Sequence, residues 1–355
     1  MGENDMYSIK QLPEDFIVKE ISSINSILSG NSSGAYSYYL LKKRNYTTMR
    51  AIEAVAKRLN RGIKQIGFAG TKDKRAVTEQ YISIRNCNAN GIEMKDISMK
   101  LVARGDEPIS LGDLDGNEFM ITVRNIDHIP KIPKNLRIIN IFDEQRFSKN
   151  NIGIGKAILK KDFKKAVELV LENESALKGF SLLCPLLRNR VFKGEYEAAV
   201  KDYLSKKTND YVGALRRIPR KIAMMFVHSF QSDIWNRMAV EIERMIKKKK
   251  VKLADYMVLP IIGFGTEFSD KNIEDIAIKL LKKEGITQRD FIVRQLPELS
   301  SEGNERKLYA NVEGLRLSGH GDDELNEGKK KAVLNFRLPK ASYATAVIKS
   351  IFSGY

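Results

Sequence analysis

Residues 67–80 read Gly67-Phe68-Ala69-Gly70-Thr71-Lys72-Asp73-Lys74-Arg75-Ala76-Val77-Thr78-Glu79-Gln80. The apolar run from Ile63 to Ala69 leads into this segment and predicts a strand. We expect the chain to turn at Gly70, because glycine permits tight turns and close approach of a ligand. One carboxylate, Asp73, follows among two lysines and an arginine, and a second strand is predicted from Gln80. A single acid among three cations makes Asp73 the first candidate for chemistry.

The composition indicates a globular protein that carries a large positive charge. The 355 residues are enough for about two domains. Apolar residues make up 43% of the chain and charged residues 30%, which is typical of soluble proteins. The net charge of +17 favours a polyanionic partner such as nucleic acid. A lysine-rich surface of the kind found in proteins from hot environments remains the alternative.

The cysteine and histidine content argues against several kinds of site. Cys87 and Cys184 are far apart, which excludes a cysteine-based zinc site and indicates no disulfide framework. The three histidines lack metal-ligand spacing. No apolar run approaches the roughly 20 residues of a membrane span. We therefore predict a cytoplasmic protein without a metal or another cofactor.

Helical patterns occur on both sides of a change in character near residue 151. Thr47 or Thr48 is predicted to cap a helix that continues to about Leu59. Beyond residue 151 the chain becomes rich in lysine and glutamate, and single helices are predicted over 156–171 and 220–248.

The segment from Phe68 to Gln80 resembles the central motif of the TruD family of pseudouridine synthases, which isomerise uridine in RNA. Further segments resemble family motifs in the same order, and they include 13–20, 111–124, 226–236, 260–265, 299–306 and 339–345. The resemblance spans the chain from Lys10 to Thr345. Three residues stand where the family usually has glycine: Asp143, Ser148 and Ala341.

The resemblance implies a role for seven residues. The family's catalytic aspartate falls on Asp73, and a lysine that lies near it falls on Lys10. A conserved asparagine falls on Asn117, and the aromatic residue that stacks on the base falls on Phe119. The remaining substrate-binding residues are Lys72, Gln145 and Arg146. Taken alone, Lys10 would be interpreted as a solvated lysine, Asn117 as a turn former and Phe119 as a core residue.

The resemblance further implies that Lys10 supplies the cation that keeps Asp73 ionised inside a dry pocket. The side chains of Lys72 and Lys74 are expected to diverge towards the RNA backbone.

The resemblance also implies a fold, a substrate and a mechanism. The expected fold is α/β (α+β), with a catalytic domain built on a mixed, mainly antiparallel sheet from residues 1–150 and 320–355. A family-specific insertion domain is expected over 151–319. The implied activity is isomerisation of a uridine in tRNA, at uridine 13, by an aspartate that acts as nucleophile or base without a cofactor.

Two other functions are considered. The first is a non-catalytic RNA-binding protein that would bind RNA in the basic cleft that the enzyme would use. An RNA methyltransferase would need a glycine-rich nucleotide loop after its first strand, and the sequence contains none.

Overall fold

The computed structural model describes residues 6–22, 34–143, 147, 150–172, 195–248 and 258–352. These residues form two compact units. Unit 1 contains the described residues up to Ile138 and from Ala310 onward, and unit 2 contains those from Ile139 to Tyr309. Within the described ranges, no helix is long and apolar enough to cross a membrane.

Unit 1 is built on one large sheet. Its strands are β1 (Phe16–Ile21), β2 (Tyr36–Arg44), β3 (Ile66–Phe68), β4 (Val77–Arg85), β5 (Gly91–Met94), β6 (Ile97–Gly105), β7 (Gly116–Ile126), β8 (Leu136–Ile139), β11 (Tyr309–Asp322) and β12 (Lys330–Pro339). The strand order is β5-β6-β2-β4-β1-β7-β12-β11-β8, and β3 pairs with β4. β1 and β4 are parallel, whereas β1–β7, β7–β12, β2–β4 and β2–β6 are antiparallel. The predicted mixed, mainly antiparallel sheet is confirmed.

Among the described residues, α1 (Thr48–Arg58) and α8 (Ala344–Phe352) pack on this sheet. Side chains of α1 form a core with those of β2, β4 and β6, and side chains of α8 form a second core with those of β1, β7 and β12. The hydroxyl of Thr47 accepts a hydrogen bond from the backbone N–H of Arg50, so the predicted helix cap is confirmed.

The segment before Asp73 requires glycine at position 67, not at position 70. A Cβ on Gly67 would lie 2.3 Å from the carbonyl oxygen of Ile109, whereas a Cβ on Gly70 would have only the Lys72 ammonium nearby, at 4.0 Å. The predicted strand from Ile63 to Ala69 is shorter than expected. A 3₁₀ turn occupies 63–65, and only 66–68 form β3. Close packing of β3 therefore explains the glycine requirement better than a turn does.

Unit 2 is mainly helical. Its helices are α2 (Asn151–Leu159), α3 (Phe163–Glu172), α4 (Glu195–Lys206), α5 (Tyr211–Leu215), α6 (Arg220–Lys247) and α7 (Lys271–Glu284). In the described part of this unit, β9 (Val258–Ile261) and β10 (Asn304–Lys307) pair antiparallel. α6 confirms the long helix predicted over 220–248. The prediction of a single helix over 156–171 is wrong. The helix is interrupted at Lys161, whose φ is +60°, so that α2 and α3 are separate.

Candidate active site

Lys10 and Asp73 form an ion pair at the centre of the candidate site. The Lys10 ammonium donates a 2.9 Å hydrogen bond to Oδ1 of Asp73. The same ammonium lies 4.0 Å from the centroid of the Phe16 ring, a favourable cation–π distance. The Lys10 side chain is 14% exposed and that of Asp73 is 35% exposed. The carboxylate is thus held by a cation on one side and accessible on another.

The backbone of Lys10 is itself unusual. Its φ of +60° lies in the left-handed region, which a lysine occupies at some cost in conformational energy. Strain of this kind persists where the surrounding structure fixes the residue. The conformation of Lys10 therefore agrees with a site that requires its ammonium beside Asp73.

The loop that carries Asp73, residues 69–76, rests on four buried polar side chains. We call Glu20, Lys43, Thr48 and Gln80 the support cluster. Each of the four is at most 8% exposed. Thr48 Oγ1 accepts a 2.8 Å hydrogen bond from the Lys72 N–H and donates one to Gln80 Oε1. Gln80 Nε2 donates in turn to the carbonyl of Gly70. These bonds fix the loop on both sides of Asp73.

Lys72 contacts the support cluster and does not extend outward. Its ammonium donates a 2.6 Å hydrogen bond to Glu20 Oε2, and the other oxygen of Glu20 accepts from the Tyr81 N–H. The two side chains are 5% and 0% exposed. The expectation that Lys72 points towards an RNA backbone is therefore not met. Its ammonium forms an ion pair with the buried carboxylate of Glu20 on β1 instead.

Lys43 lies directly beneath Asp73. Its ammonium donates to the backbone carbonyl of Asp73 at 2.7 Å and to that of Tyr46 at 2.6 Å. The residue is fully buried. Burial lowers the pKa of Lys43 to about 7, while the Asp73 carboxylate acts in the opposite direction and Lys72 lowers the pKa further.

Phe119 lies inside an aromatic cluster of the sheet. Its ring stacks on that of Phe336 at 5.4 Å and meets that of Phe16 edge-on at 6.1 Å. It is only 6% exposed. Asn117 is two residues earlier on β7, opposite Glu20. Within the described part of the chain, Asn117 Oδ1 is buried without a hydrogen-bond donor. Asn117 therefore has a buried acceptor that no described residue uses.

The structure brings together Lys10, Lys72 and Asp73. Asn117 and Phe119 lie on β7, which pairs with β1, the strand that carries Glu20. Gln145 and Arg146 lie outside the described residues. Among the residues that are described, no group of three histidine, cysteine, aspartate or glutamate side chains could hold a metal ion.

Sequence reasoning missed Lys43, although a signal was present. Strand side chains alternate between faces, and Lys43 shares its face with the buried Tyr39 and Leu41. Glu20 follows Phe16 and Val18 in the same way. A charged residue at a buried position of a strand requires a partner. The partner of Lys43 is the backbone carbonyl of Asp73, and the partner of Glu20 is the ammonium of Lys72.

Comparison with known proteins identifies the family. A family model for tRNA pseudouridine synthase D (TruD) matches residues 6–181, 185–252 and 238–351. The chain belongs to the TruD family. A relative from Methanosarcina acetivorans that is assigned as a tRNA pseudouridine synthase D is 32% identical, over 96% of this chain and 91% of its own length. The tRNA pseudouridine synthase D of Aquifex aeolicus is 28% identical, over 97% of each chain.

A solved TruD structure has the same fold. A crystal structure from Methanosarcina mazei, assigned to TruD, matches with a TM-score of 0.74 and 29% sequence identity. The match covers 98% of this chain and 94% of that one. The TruD resemblance, the fold class and the assignment to a family of isomerases are therefore confirmed. The roles of the individual TruD site residues stay predictions.

Proposed function

We propose that this protein converts uridine to pseudouridine in tRNA, at uridine 13, with Asp73 as the nucleophile or base. The observation that carries the proposal is the Lys10–Asp73 pair, in which a partly accessible carboxylate is held by an ammonium at 2.9 Å. An ammonium at this distance favours the charged form of a carboxylate. We assign the chemistry to unit 1, which contains both residues, and the role of the insertion domain to unit 2.

The reaction is an isomerisation that a carboxylate can assist. The N1–C1′ bond breaks, the uracil turns over, and a C5–C1′ bond forms. C5 loses a proton and N1 gains one, so the overall composition is unchanged. Asp73 would form and later release a covalent bond to C1′ or to the uracil ring, or it would act as the base that helps to form a glycal.

The target nucleotide would complete the site. About a third of the Asp73 side chain reaches solvent, so the water-free pocket expected from the sequence requires a base above it. A uridine flipped out of its stack could supply that cover. The Asn117 amide, whose oxygen is buried without a donor among the described residues, would turn to accept a hydrogen bond from the uracil. Phe119 as the stacking residue, and Gln145 and Arg146 as substrate contacts, stay part of the proposal. Lys72 instead supports the Asp73 loop, because its ammonium is paired with the buried Glu20.

The direct test is pseudouridine mapping on tRNA incubated with the protein. We expect modification of a transcript with uridine at position 13 and none when cytidine replaces that uridine. Modification at another position would refute the target but retain the activity. Absence of pseudouridine at every position would favour the non-catalytic RNA-binding protein. The predicted cytoplasmic location stays a prediction.

Phe119→Ala separates stacking from packing. Because the ring is buried between Phe16 and Phe336, we expect a loss of about 3–5 kcal/mol in the free energy of unfolding. If Phe119 also stacks on the base, kcat measured on the folded fraction should fall, in line with the ~1–3 kcal/mol that stacking contributes. Phe336→Ala is the matched control, since it removes the adjacent ring. An equal fall of kcat in both variants would assign Phe119 to the core alone.

The affinity for tRNA should depend steeply on salt. With a net charge of +17, binding is expected to release counterions from several phosphates. Between 50 and 200 mM KCl we expect Kd to rise by about 10²-fold. The measurement is a filter-binding or anisotropy titration, with a sucrose series as the control for solute effects. A Kd that does not change with salt would contradict phosphate recognition.

A further inference from the structure

We propose that Lys43 is a positioning residue for Asp73: its ammonium fixes the backbone carbonyl of Asp73 and places a second positive charge behind the carboxylate. The inference rests on the proposed role of Asp73 as the reactive group.

The first argument is the rigidity of the element that carries Lys43. β2 is an internal strand, and Lys43 is in register with Thr78 of β4 on one side and Ile97 of β6 on the other. Its ammonium extends from this fixed base to two carbonyls, one in the Asp73 loop and one at Tyr46 before α1. Lys43 thus joins the sheet, the start of a helix and the reactive loop.

The second argument is the cost of the arrangement. A fully buried ammonium loses its hydration, and two backbone carbonyls replace that hydration only in part. Burial is the main cause of the lowered pKa of Lys43, and the Asp73 carboxylate is the group that opposes it. An apolar side chain would fill the same space without this cost. The retained charge therefore indicates a task at Asp73 and not packing.

Lys10 and Lys43 both donate hydrogen bonds to Asp73. Lys72 is the other cation near Lys43, and Glu20 neutralises it. Lys10 approaches the Asp73 carboxylate itself, whereas Lys43 holds the backbone of the same residue. Lys10 therefore acts on the carboxylate of Asp73, and Lys43 acts on the backbone that carries this carboxylate.

The test compares Lys43→Met with Lys42→Met. Methionine fills a similar volume without a charge or a donor, and the neighbouring Lys42 is 55% exposed and pairs only at the surface with Glu79. For Lys43→Met we expect kcat at saturating tRNA to fall by about 10²-fold, with Kd for tRNA unchanged. Wild-type kcat should fall as the pH rises through about 7, where the Lys43 ammonium loses its proton, and this fall should be absent from Lys43→Met. Lys42→Met should behave as wild type.

Two further variants separate charge from structure. Thr48→Val removes an uncharged contact to the same loop, so kcat should be lower at every pH while the fall of kcat above pH 7 remains. Lys43→Gln keeps a donor but no charge, and it provides a second measurement if Lys43→Met does not fold. Circular dichroism melting establishes the folded fraction of each variant.

Three results would overturn the inference. Wild-type kcat in folded Lys43→Met or Lys43→Gln, with an active wild-type protein, would overturn it alone. A wild-type fall of kcat above pH 7 in folded Lys43→Met would overturn its electrostatic part. A wild-type protein that forms no pseudouridine would overturn the proposed function together with it.

Discussion

Asp73→Asn is expected to abolish pseudouridine formation while tRNA binding is retained. The amide has the size of the carboxylate, and the bond from Lys43 reaches the backbone carbonyl, which the substitution leaves in place. An amide cannot act as the nucleophile or base, so we expect a loss of at least about 10⁴-fold in kcat. The measurement is pseudouridine formation in single turnover on a tRNA transcript, with affinity determined separately.

Two controls accompany this prediction. Asp73→Ala cannot revert to a carboxylate by deamidation, so it tests any residual activity of the Asn variant. Asp106→Asn changes an exposed carboxylate of the same unit and should have wild-type activity. Turnover at the wild-type rate in Asp73→Asn and Asp73→Ala would refute Asp73 as the reactive group.

Lys10→Met is expected to have the second-largest effect. The substitution removes the ammonium that contacts the carboxylate at 2.9 Å but keeps an unbranched side chain against Phe16. We expect kcat to fall by about 10²- to 10³-fold, as for the loss of one preorganised charge contact in an active site. The expected change in tRNA affinity is small, because Lys10 is 14% exposed and its charge is already paired.

Lys19→Met is the matched control for Lys10→Met. Lys19 is an exposed lysine on β1, nine positions further along the chain. It should retain wild-type kcat. A Lys10→Met protein with wild-type kcat and an unchanged pH profile would show that the cation is not needed at Asp73.

Much of the site could be predicted because its residues follow a local pattern. The apolar periodicity of the sequence alone indicates α1 and α6. The pairing of Lys10 with Asp73, 63 positions apart, came from family resemblance, since no local rule joins residues at that separation.

Other features depend on tertiary contacts that no local pattern contains. The direction of Lys72 is set by Glu20, which is 52 positions away. The break between α2 and α3 is at Lys161, whose backbone has a left-handed conformation. Lysine does not favour that conformation, so the sequence does not indicate the break. Ala341 is a further case: it has a φ of +63° at the position where the family usually has glycine. The burial of Lys43 is the exception, because the alternation along β2 already indicates it in the sequence.

The position of β12 in the sheet has a consequence for synthesis of the chain. β12 lies between β7 and β11, so β7 has an unpaired edge until residues near 339 have left the ribosome. Most of the polypeptide, including all of unit 2, is translated in that interval. Nascent molecules would therefore present an open strand to one another, and their productive yield should depend on chaperones and on the rate of translation.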